Sequence, residues 1–153
     1  MTFFTQVPVY GCGCWAQHSK SAGIAVSTTG CGEQLIQTTL AKTLGQTILE
    51  RGDPAFNLKE IMCNQFIHSE MLCEDDDQPQ DRMGGVLMAY YSDNSVDFNM
   101  AFTTDSMVVG FQNTNQDKAT VRISRNASLA TSGHSPHQTN RLTMEGFIVK
   151  LIN

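Results

Sequence analysis

The stretch STTGCGEQL, residues 27–35, is where a run of small strand-forming residues hands over to a helix. Upstream of it, IAVSTTG reads as a strand from Ile24 to about Thr29. Downstream, Ile36, Leu40, Leu44 and Ile48 recur at every fourth position, and Leu35 and Leu49 widen the stripe, the pattern of an amphipathic helix. Its end is marked by Arg51 in the last turn, Gly52 placed for a left-handed cap and Pro54 just beyond. Gly30, Cys31 and Gly32 therefore stand at a helix mouth, where backbone N–H groups lack intrahelical partners and a carboxylate is favourably held. Thr28 and Thr29 are expected to point their hydroxyls into the same space. A simpler role for the same residues is a helix cap at Thr29 and a tight turn eased by glycine. The block has neither the third glycine of a dinucleotide loop nor the GK[ST] of a phosphate loop, which speaks against a nucleotide cofactor.

Working outward, VPVYGCGCWA at residues 7–16 has strand character, and alternation would put Cys12 and Cys14 on one face with Gly11 and Gly13 on the other. Glycine inside a strand marks a place where another layer or a ligand comes close to the backbone. A second helix is expected from about Asn57 to Leu72, followed by an acidic loop over residues 73–83 that reads as a solvated connection, since it lacks the ligand spacing and central glycine of a calcium loop. From Gly84 the period changes to strands: GGVLMAYY, SVDFNMAFTT, SMVVGFQN and ATVRIS. Asp93–Asn94 and Asp105–Ser106 are the expected turns of an antiparallel meander. A polar stretch at residues 126–140 precedes one last short strand in MEGFIVKLIN. Strands, helices and then strands again make a segregated order, which predicts a layered α+β fold rather than a doubly wound one.

Composition narrows the function classes. The 153 residues are 41% hydrophobic and 16% charged, enough for one domain with a core. A net charge of −5 with scattered Lys and Arg argues against nucleic-acid binding. No apolar run reaches membrane-spanning length, and MTFFTQVPVYG lacks the flanks of a signal peptide, so a cytoplasmic or nuclear location is expected. Five cysteines, an odd number, fit a reducing compartment better than a disulfide framework. Cys12 and Cys14 lack the second ligand pair that tetrahedral zinc requires, and His134 and His137 sit in a polar, proline-interrupted loop, so buried thiols are expected and no metal or other cofactor is assigned. The NAS at Asn126 matches a glycosylation acceptor but has no meaning without secretion.

YGCGCWA at residues 10–16 followed by AVSTTGCGEQLIQTTLAKTL at residues 25–44 resembles the β subunit of taspases, the threonine aspartases, a branch of the asparaginase-like N-terminal nucleophile hydrolases. The likeness continues through GGV, FTTDSMVVGF and ISR, to about Arg125. It implies a four-layer αββα sandwich of which this chain is an incomplete part, residues 1–153 forming a partial single domain. It further implies a threonine nucleophile whose own α-amino group serves as base, and a protein substrate cut after aspartate. Thr29, Gly30 and Gly32 match positions lining the substrate-aspartate pocket. Residues 1–6 are an unrelated or poorly matched start: the family's glycine-preceded threonine and its GRVG segment are missing and the arginine of that segment falls on Phe3, although Gln6 matches the residue after it. Thr2 lies too close to Tyr10 to leave room for the nucleophile strand and its partner, so no catalytic residue is assigned. The expected partners are the missing α-subunit portion or an intact homologue. The alternatives are a non-catalytic homologue that regulates an intact relative, and an asparaginase or isoaspartyl-peptidase-type amidase fragment; Cys31 and the GCGCW motif favour the protease branch.

Overall fold

In the computed structural model, residues 8–72, 82–112, 117–126 and 142–151 are described. The chain is mixed α+β with a mostly antiparallel sheet, as the segregated order of its elements predicted. Strands β1 (Cys14–His18), β2 (Ala22–Gly30), β3 (Gly84–Ser92), β4 (Ser95–Phe102) and β7 (Thr143–Lys150) form one sheet in the order β1-β2-β3-β4-β7, every pair antiparallel. Strands β5 (Ser106–Phe111) and β6 (Thr120–Arg125) form a separate hairpin.

The expected β3–β4 turn is present: Asp93 and Asn94 take φ of 48° and 60°, the paired left-handed conformations of a tight two-residue hairpin. The meander ends there. At Thr103–Asp105 the chain leaves the sheet, so Asp105–Ser106 does not close a β4–β5 hairpin; β5 pairs with β6, and β7 takes the place beside β4. Thr103 holds this exit, its hydroxyl donating to the Arg82 carbonyl at 2.6 Å and accepting from the Gly84 N–H at 2.9 Å.

Three further expectations are corrected. The single helix expected downstream of Gly32 is two, α1 (Gly32–Thr38) and α2 (Leu40–Arg51), broken at Thr39 with φ 43°, ψ 45°. The break shifts the buried stripe by one residue: Leu35, not Ile36, joins Leu40, Leu44 and Ile48 in the core cluster, and Ile36 is half-buried outside it. The strand expected over residues 7–16 is shorter: Pro8–Gly13 is turn and bend, so Cys12 and Cys14 do not share a strand face. Cys12 is fully buried with its thiol directed at the Tyr10 and Ile36 carbonyls, whereas Cys14 is exposed. The expected second helix begins earlier, as α3 (Pro54–Ile61) with Asp53 capping the Phe56 N–H. It runs on through a π-helical turn (Met62–Ile67) to a 3₁₀ turn (Glu70–Leu72).

The helices cover one face of the sheet. Ile24, Val26, Val86, Met88 and Ala101 point to that side and pack with Leu35, Leu40, Leu44, Ile48, Leu58, Ile61, Met62 and Phe66 in one core cluster. Each fully buried side chain of this size stabilises the fold by about 1.5–3 kcal/mol relative to exposure. Gly45 of α2 lets the helix lie against β1, because a Cβ there would overlap the Trp15 ring. Among the described residues, the other face is covered toward β4 and β7 by the β5–β6 hairpin: Phe111 and Phe98 flank Phe147 at 4.5 and 5.2 Å, and Arg122 lies over Phe111 and Phe147 at 5.9 and 5.8 Å. Ser124 of the hairpin donates to Glu145 of β7. Residues 1–6 and most of the acidic loop 73–83 lie outside the described residues, as do Thr2, Cys73, His134 and His137.

Candidate substrate-pocket residues at the end of strand β2

Strand alternation decides where the two threonines go. Thr28 faces the helices, is buried, and donates its hydroxyl to the Cys12 carbonyl at 2.5 Å, clamping the Tyr10–Gly13 turn onto β2. Thr29 faces the opposite way and is exposed at the end of β2, beside Gly85 and Met107. Their hydroxyls therefore do not share a space, and Thr29 does not cap α1. The N-cap is Cys31, with no side-chain cap bond.

Gly30 is committed to packing. With φ at 136° it occupies backbone space closed to other residues, and a Cβ on it would overlap the Met83 carbonyl oxygen and approach the Gly84 Cα to 2.8 Å. The same Met83 carbonyl accepts the Cys31 N–H at 2.8 Å, and the Met83 N–H donates to the Gln34 side-chain carbonyl at 3.0 Å. One of the amides expected to face a ligand is thus spent on the start of β3. Gly32 opens α1 and is half-buried. The three matched positions fall within four consecutive residues, with Thr29 exposed on the sheet face away from the helices while Gly30 fixes the turn behind it.

Open clefts lie elsewhere. One is a shelf on the uncovered face, floored by Ala16, Gly23, Ala25, Ala89, Tyr91 and Val96. Another is a polar groove at the α1–α2 break, lined by Gln37, Thr39, Thr43, Asn64, Gln65 and His68. Helical periodicity runs through that groove without a signal; only the poor helix propensity of the TT pairs at Thr38–Thr39 hinted at a break. Burial pushes the Cys12 thiol above its ordinary range, which makes it a packing group rather than a nucleophile. Among the described residues no three His, Cys, Asp or Glu side chains come together as a metal site, and no helix is long and apolar enough to cross a membrane. No known protein-family profile matches the chain.

Proposed function

We propose that this chain is the carboxy-terminal portion of a taspase-like threonine endopeptidase of the N-terminal nucleophile hydrolase type. It supplies the Thr29–Gly32 wall of the substrate-aspartate pocket and one helix layer plus parts of both sheets of an αββα sandwich. The nucleophile threonine comes from polypeptide outside this sequence, and the chain alone is inactive toward its protein substrate. The reading rests on the Tyr10–Glu33 block. Its support is that Thr29 stands exposed on the sheet face that the helices leave open, next to a glycine held at φ 136°.

The test is reconstitution. Co-expressing the chain with a taspase segment that carries the nucleophile threonine is expected to yield cleavage of an aspartate-containing peptide and no hydrolysis of free asparagine. Thr29→Ala in that complex is expected to lower kcat/KM about tenfold or more, the loss of one charge-assisted hydrogen bond to the substrate carboxylate. Hydrolysis of asparagine in preference to the peptide would move the assignment to the amidase branch. Turnover by the chain alone, dependent on Thr2, would overturn it.

A second reading, a non-catalytic homologue that pairs with an intact relative, is favoured by the outward face of the hairpin. There Val108, Val121 and Ile123 are 60, 64 and 66% exposed. Co-purification with a full-length relative at fixed stoichiometry is its test.

A further inference from the structure

Among the described residues, the β1 end of the five-stranded sheet is an unpaired edge, and its chemistry is one-sided. The Gly13 carbonyl accepts the Thr28 N–H at 2.9 Å, and the Ser19 N–H donates to the Ala22 carbonyl at 2.7 Å. Antiparallel alternation then turns the N–H and C=O groups of Cys14, Ala16 and His18 outward, away from β2. No described strand pairs with that side. The edge carries no proline and no charged side chain: Cys14–His18 holds no Pro, Lys, Arg, Asp or Glu, whereas β7 at the far edge carries Glu145 and Lys150.

Charge says what such an edge accepts. In a protein of net charge −5, no Asp or Glu occurs from Pro8 to Gly32. Lys42 sits at the start of β1, its Nζ 5.1 Å from the ring centre of Tyr10 and 5.8 Å from that of Trp15, and Lys20 lies just beyond its end. Neither lysine is in an ion pair among the described residues, where Arg51–Glu60 at 3.6 Å is the pair present. Tyr10 is 71% exposed and meets Trp15 edge-on at 5.4 Å, leaving an aromatic surface beside the open backbone. Tyrosine and tryptophan next to a cation are the side chains that most often anchor a protein partner.

We propose that the β1 edge binds an extended polypeptide segment bearing carboxylate side chains, which adds as a sixth strand. Its backbone bonds to Cys14, Ala16 and His18, and its acidic groups meet Lys42 and Lys20. Strand addition of this type takes affinity from the main chain and selectivity from the flanking side chains. The site is separate from Thr29 and Gly30 and rests on the edge itself, whether or not the chain belongs to a hydrolase.

The probe is a synthetic peptide alternating valine with aspartate, compared with one alternating valine with lysine. With the aspartate peptide, hydrogen exchange is expected to slow at the amides of Cys14, Ala16 and His18, and the emission of the single tryptophan, Trp15, to shift. Binding should weaken as salt rises and fall about fivefold to tenfold in the Lys20→Gln, Lys42→Gln double variant. Ala16→Pro removes an outward donor without touching the β1–β2 ladder, and should abolish binding with an unchanged circular dichroism spectrum. Equal binding of the lysine peptide would overturn the proposal, as would no protection by either peptide. Protection of the three amides in the peptide-free protein would also overturn it: with a dimer in sedimentation it assigns the edge to a second copy, and with a monomer to the chain itself.

Discussion

The two faces of the five-stranded sheet are built from alternate residues of the same strands, yet they end in opposite conditions. On the helix side, Ile24 and Val26 of β2 are 4 and 3% exposed beneath α2, and the side chains around them are fully enclosed. On the other side, Ala25, Ser27 and Thr29 of the same strand are exposed, and among the described residues the β5–β6 hairpin meets that face at Gly85, Phe98 and Phe147. One face is a finished core. Its opposite is a half-covered layer whose own outer surface, at Val108, Val121 and Ile123, is apolar and exposed. Stability is thus concentrated in the α–β half of the molecule, and unsatisfied apolar surface in the β–β half.

The largest losses are expected in the finished face. Leu44→Ala, at a fully buried position of α2 in the core cluster, should cost about 2–5 kcal/mol, read as a lower urea midpoint at constant slope. A cost below about 1 kcal/mol would mean that the helix layer is not the stable half. Next in size, Gly30→Ala should cost about 1–3 kcal/mol through its φ of 136° and the overlap with Met83, measured in the same way. On the open side, Val108→Thr and Ile123→Thr should each change stability by about 0.5 kcal/mol or less, while lowering self-association in sedimentation. A loss like that of Leu44→Ala would show the hairpin's outer face to be buried in solution.

The smallest effect lies on the pH axis. Burial raises the Cys12 thiol, so the folded protein favours the neutral form. The associated stability is complete below the unfolded thiol pKa and is lost as pH rises through the higher folded value. Unfolding midpoints measured from neutral pH into the alkaline range should fall less steeply in Cys12→Ala than in the parent, and exposed Cys14 should alkylate well before Cys12.

What residue spacing by itself determined was local and periodic. The β2 strand ahead of Gly30, the apolar stripe of α2 with its stop at Gly52, the Asp93–Asn94 turn and the last strand were all legible, because each follows from backbone preferences and side-chain direction within a few residues. Thr29, Gly30 and Gly32 could be singled out in the same way, as a strand-to-helix junction. Only tertiary structure decided that Thr28 turns inward to the Cys12 carbonyl, and that Gly30 yields its space to Met83, a residue brought back by a distant strand. The break at Thr39 and the departure of β5 from the meander were likewise settled by which surfaces needed covering. A period of two or of four tells which side chains share a face. What lies against that face is fixed by contacts far apart in the chain, and no local pattern carries them.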